Sequence, residues 1–125
     1  MMRFFVFAIP FILPVVVADN YQECDCHRQN IFGVYEYNWE LTYNACTLDF
    51  AKHGRYNKAT GRCERRPFHW IEGKDWIESC KKFAREGYTR VQDDADGIPV
   101  FNYDLPKEKT ELDANSRCHY AEAWS

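Results

Sequence analysis

Three short stretches and four histidines carry the side chains that could do chemistry. Cys24-Asp25-Cys26-His27 sets two thiols, a carboxylate and an imidazole side by side. Asp93-Asp94-Ala95-Asp96-Gly97 gathers carboxylates ahead of a glycine. Arg65-Arg66-Pro67-Phe68-His69-Trp70 interleaves bases with rings. His27, His53, His69 and His119 supply imidazoles.

Each has an ordinary explanation to set against the chemical one. A zinc site on Cys24, Cys26 and His27 needs a second ligand pair at Cys-x2–4-Cys or His-x3–5-His spacing, and the sequence has none. Oxidised cysteines are the better expectation, with no metal and no cofactor. In a calcium loop, oxygen ligands would continue at alternate positions after Asp96 and end on a glutamate; they do not. Asp and Gly favour tight turns for local backbone reasons, so Asp93–Gly97 reads as a turn. Ser79, Ser116 and Ser125 sit in no Gly-x-Ser-x-Gly elbow, and an even cysteine count leaves no thiol over for nucleophilic work.

Acid–base chemistry has more support. Glu23 and His27 share one face of a strand. Either His27 or His69, working with Glu23 or Glu64 and with Arg62 or Arg66 for the phosphate, would compose a small RNase-like hydrolase. The same alternation is what any solvent-facing strand shows, so this is the second reading. Bases and rings from Arg65 to Trp70 can bind nucleic acid or sugar by charge and stacking. Phe68 and Trp70 stand directly before the best helix, however, and packing into the core is the expectation for them.

The remaining sequence says what must position these groups. Met1-Met2-Arg3 is a basic start, Phe4 to Val17 is apolar but broken by Pro10 and Pro14, and Val16-Val17-Ala18 precedes Asp19 like a cleavage site. Residues 1–18 read as a secretory signal peptide, too short and too broken for a membrane span. Residues 19–125 then make one secreted, extracellular domain containing all six cysteines, which implies a disulfide framework: Cys24, Cys26, Cys46, Cys63, Cys80 and Cys118 in three bridges. A Cys24–Cys26 bridge is disfavoured by strand geometry; the remaining pairings stay open.

Gln22 to Arg28 alternates, with Cys24 and Cys26 toward the core. Asn38 can cap a helix over 39–53, whose stripe is Trp39, Tyr43, Cys46 and Phe50, with Gly54 as the stop. Tyr56 to Arg66 reads as strand, turn and strand about Ala59-Thr60-Gly61. The clearest amphipathic helix covers 74–86, on Trp76, Ile77, Cys80, Phe83 and Ala84. A hairpin follows around Asp93–Gly97, and Ser116–Tyr120 can return as a last strand. The fold class is therefore α+β: a small, mostly antiparallel sheet with both helices packed on one face.

The formal charge is −3. Lys52 to Arg66 is basic and Asp93 to Asp113 is acidic, which reads first as two solvated loops that attract each other. The sharper alternative is a basic patch for a partner, with Arg55, Lys58, Arg62, Arg65 and Arg66 as its contacts. The acidic balance argues against the cationic membrane attack of an antimicrobial or toxin-like protein, and against nucleic acid as the partner.

Cys24-Asp25-Cys26 soon after a signal peptide, a helix carrying Cys46, then Gly61-Arg62-Cys63, Ile71-Glu72-Gly73 and Trp76-Ile77-Glu78-Ser79-Cys80 together resemble the small secreted cysteine-rich proteins of filamentous fungi. Many of those are candidate virulence effectors. The alternation of two helices with strands is also similar to the killer-toxin-like α/β sandwich. The resemblance implies a secreted effector-type binding protein without catalysis, meeting a host or extracellular protein, glycan or surface. It carries over no catalytic residue.

Overall fold

A computed structural model of the chain describes residues 20–120. The expected signal peptide, its cleavage site and Trp124 lie outside the described residues. The chain opens with β1 (Asn20–Tyr21) and β2 (Glu23–Gln29), turns, and returns as β3 (Tyr35–Tyr37). Helix α1 (Trp39–Asn44) continues as a π-helical turn, Ala45–Asp49. The hairpin of β4 (Gly54–Asn57) and β5 (Arg62–Arg65) follows. Then β6 (Ile71–Glu72) leads straight into α2 (Gly73–Glu86). A second hairpin, β7 (Val91–Asp93) with β8 (Pro99–Phe101), precedes β9 (Ala114–His119).

The main sheet is antiparallel and centred on β2. One edge of β2 pairs along its length with β9, from Glu23↔His119 to Arg28↔Ala114. The other edge is shared: β5 takes Glu23 and Cys24, and β3 takes His27 to Gln29. With β4 beyond β5, the order β4-β5-β2-β9 and the β-α-β-β-α-β connectivity are those of a split β-α-β arrangement.

Of the pairings the sequence leaves open, the structure has one that joins the sheet to itself and to both helical segments. Cys24–Cys118 crosses from β2 to β9, with Cα atoms 4.0 Å apart. Cys26–Cys80 ties β2 to α2, and Cys46–Cys63 ties the π-helical turn to β5. Both helical cysteines thus bond into the sheet. Around them pack Leu41, Ala45, Ile71 and Trp76, all fully buried. The Trp76 Nε1–H donates to the Asp25 carbonyl at 3.0 Å, so the indole is buried with its one polar atom satisfied.

The α2 helix matches its pattern closely. The Glu72 carboxylate accepts from Asp75 N at 2.8 Å, and Gly87, at φ 116, ends the helix. The first helix does not match. Asn38 caps it as expected, accepting from Leu41 N at 2.8 Å, but helical structure stops at Asp49 and not at 53. Within the run the fully buried positions are Leu41, Thr42, Asn44, Ala45 and Cys46, while Trp39 and Tyr43 are only partly covered. Trp39 and Tyr43 lie in the regular α-helical part, whose inward face is Leu41, Thr42 and Asn44; the π-helical turn begins only at Ala45. Gly54 is no helix stop. It is the first residue of β4, and a Cβ there would lie 2.6 Å from Cys63 Sγ and 3.1 Å from the Glu64 carbonyl. The close approach of the Cys46–Cys63 bridge excludes a side chain at that position.

Candidate functional site

The register of the sheet lines up polar residues on the strand face away from the buried cysteines. Arg55 lies opposite Glu64, Glu64 opposite Glu23, and Glu23 opposite His119. Asn57 lies opposite Arg62, and Asp25 opposite Arg117. Arg62 reaches both central acids: its Nη1 is 2.5 Å from Glu23 Oε1 and its Nε is 3.4 Å from Asp25 Oδ2. Asp25 Oδ1 also meets His27 Nε2 at 2.7 Å. Partial burial works against the charge on Arg62, but the two carboxylates outweigh it and hold the guanidinium above its ordinary pKa. Asp25 is 5% exposed beneath Arg62, whereas Arg55 and Arg117 in the same rows are exposed, so the network is buried at its centre and solvated at its ends.

That network separates the expected acid–base pairs. Glu23 and His27 are four residues apart on one strand, about 13 Å at ~3.3 Å per residue. Glu23 is bound to Arg62, and His27 to Asp25. His69 packs edge-on against His53 with ring centroids 5.3 Å apart. Glu64 accepts from Asn57 at 2.8 Å and from Thr60 at 3.4 Å. Among the described residues neither His27–Glu23 nor His69–Glu64 shares a hydrogen bond, and no group of side chains is arranged to hold a metal ion.

Of the five candidate contact bases, Arg55, Lys58 and Arg66 line one cleft of about 250 Å³ with Tyr43, Tyr56 and Ile98, whereas Arg62 and Arg65 lie outside it. Lys58 Nζ meets Asp93 Oδ2 at 2.7 Å and the Gly97 carbonyl at 2.6 Å, joining the basic hairpin to the acidic turn. Arg62 belongs to the network just described. Arg66 Nε donates to the Ala51 carbonyl at 2.9 Å, and Arg55 is exposed. The Arg65 guanidinium carbon stands 4.3 Å from the centroid of the Trp70 ring.

Arg65 leads to the part of the surface where the sequence expectation fails. Phe68 and Trp70 do not plug into the core: Phe68 is 96% exposed and Trp70 45%. Pro67 ends the pairing of β5, and Ile71 takes the core position, held by β6 pairing to β1. The residues between are pushed outward. His69 N–H donates to the Arg66 carbonyl at 2.9 Å, closing a four-residue turn with Pro67 second and Phe68 third. Phe68 has φ 66. A proline followed by a positive φ is the pattern of a type II turn, whose third position favours glycine. Here it carries a phenyl ring. Beside it opens a cleft of about 680 Å³, lined by Gln22, Glu23, Glu64, Arg65, Pro67, Phe68 and Trp70. The signal for this turn in the sequence is Pro67, a residue favoured at the second position of a type II turn.

A second exposed apolar feature is the β2–β3 turn, with Ile31 at 83% and Phe32 at 82% exposure. Asn30 Oδ1 accepts from Phe32 N at 2.8 Å and Val34 N at 3.0 Å, which fixes the turn.

Fold and site together define a class: a small α+β protein with three disulfides, an internally neutralised sheet face and an aromatic-rimmed cleft. The chain matches no protein-family model, no curated protein and no solved structure. No helix among the described residues is long and apolar enough to cross a membrane.

Proposed function

We propose that this is a secreted, disulfide-stabilised binding protein of effector type. It acts extracellularly or at a host interface, without catalysis, and engages its partner through the turn and cleft from Arg65 to Trp70. Six paired cysteines support an oxidising compartment. The cysteine pattern of small fungal secreted proteins supports the effector setting. Cys26–Cys80 and Cys46–Cys63 each join a helical segment to a strand cysteine. That supports both helices lying on the cysteine face of the sheet, with the Arg62 network on the opposite face.

One observation carries the reading. Phe68 holds a left-handed backbone that costs a non-glycine residue about 1–2 kcal/mol, and its ring is left 96% exposed. Folding gains almost nothing from that ring, whereas a partner that covers it would gain a rigidly presented anchor. Phe68→Gly tests this directly. Glycine accepts the backbone conformation, so the thermal midpoint should stay level or rise, while capture of ligands from cell-wall and extracellular fractions should be lost. Equal capture by both forms would remove this surface as the site.

A further inference from the structure

We propose that the cleft beside Trp70 takes a neutral oligosaccharide. The inference rests on the binding reading above and names the chemistry of its ligand.

Two ring systems stand at the cleft, Phe68 at 96% exposure and Trp70 at 45%. A pyranose presents a flat C–H face that packs on an aromatic ring, burying apolar area while its hydroxyls point sideways. The Trp70 ring is held in place by the Arg65 guanidinium stacked at 4.3 Å. Around the rings are the planar polar groups that hydroxyls need. Gln22 offers an amide that both donates and accepts, and Glu23 and Glu64 offer carboxylate oxygens. Arg65 itself lines the cleft, and its guanidinium adds N–H donors to the lining.

The charge of the lining selects against other ligands. Two carboxylates and one guanidinium line the cleft; of the other nearby bases, Arg62 is bound to Glu23 and Asp25, and Arg66 donates to the Ala51 carbonyl. A polyanion such as nucleic acid needs free bases along its path, and this wall presents acids instead. The buried centre of a protein interface is depleted of charged side chains, whereas three line this cleft. A polyol with apolar faces and no net charge satisfies both the rings and the carboxylates. At about 680 Å³ and open to solvent, the cleft has room for more than a single small group.

The test titrates the oxidised protein with hexasaccharides of β-1,4-glucose, β-1,3-glucose, β-1,4-N-acetylglucosamine and α-mannose, following the Trp70 indole N–H by NMR. At least one sugar should give a saturable shift at that proton and at the Gln22 and Arg65 amides. Trp70→Ala should weaken this binding about tenfold or more, Trp70→Phe should keep most of it, and Tyr103→Ala, an exposed ring outside the cleft, should leave it unchanged. Absence of a saturable shift with all four sugars overturns the proposal. So does binding indifferent to Trp70→Ala, or Trp70-dependent binding of a single-stranded RNA hexamer in place of sugar. Loss of capture by Phe68→Gly without any sugar response would keep the binding surface and discard the sugar.

Discussion

Replacing Asn44 by alanine should cost this protein a large part of its stability. Asn44 is fully buried where α1 passes into the π-helical turn. Its Nδ2 donates to the Glu40 and Thr89 carbonyls, both at 2.8 Å, and its Oδ1 accepts from Thr89 N at 2.9 Å. One side chain therefore satisfies both backbone groups of Thr89, a residue itself 8% exposed. Alanine leaves that N–H and C=O without partners in a site sealed from water. Each orphaned buried group costs about 1–3 kcal/mol, so the two together cost roughly 2–6 kcal/mol. Against a typical total of about 5–15 kcal/mol, this should lower the thermal midpoint by about 10 °C or more. Urea unfolding of the oxidised protein measures the loss, and hydrogen exchange at the Thr89 amide localises it. A loss under about 0.5 kcal/mol, with Thr89 still protected, would refute the reasoning.

Other outcomes follow from the same structure. Cys24–Cys118 encloses 94 residues of separation and Cys46–Cys63 only 17, so the paired Cys→Ala variants should lose about 4.7 and ~3 kcal/mol respectively on the chain-entropy account; urea midpoints in the reverse order would contradict it. The Tyr35 hydroxyl, donating to Asp113 at 2.7 Å, and the Ala114 N–H hold the Asp113 carboxyl below its ordinary pKa. A lowered folded-state value stabilises above the unfolded pKa, near ~3.9, and the contribution disappears as pH falls through the folded value. Tyr35→Phe should therefore lose stability at neutral pH and show a flatter acid limb; a melting profile parallel to the parent's through the acid range would rule this out.

Much of the framework was legible because its signals are local. The α2 stripe of Trp76, Cys80 and Ala84, the alternation of Cys24 and Cys26, and the Ala59-Thr60-Gly61 turn each depend on neighbours in sequence. Where the reading failed, a distant residue decided the outcome. Asp25 looks like a solvent-side carboxylate until Arg62 crosses from β5 to cover it. Trp39 fits an apolar stripe, but the same α-helical turn faces Leu41, Thr42 and Asn44 inward, with Asn44 held there by Thr89. Phe68 and Trp70 carry the apolar character of core residues, yet Ile71 and the short β1–β6 ladder claim the buried position. Hydrophobicity alone does not show which of three nearby apolar residues faces inward.

The pairing of β2 with β9 has a consequence for how the molecule comes into being. As the chain is synthesised, β2 emerges before every other strand of the main sheet, yet the partner for one whole edge is the last to appear. Until Ala114–His119 is available, β2 offers a row of unsatisfied backbone donors and acceptors to any extended segment nearby. The β4–β5 hairpin and its bridge to Cys46 join residues close in sequence and can form early, whereas the sheet closes only by a contact of high order. Loss of the last strand, by truncation or proteolysis, would strip the central strand rather than trim an edge, and the remaining chain would have reason to aggregate.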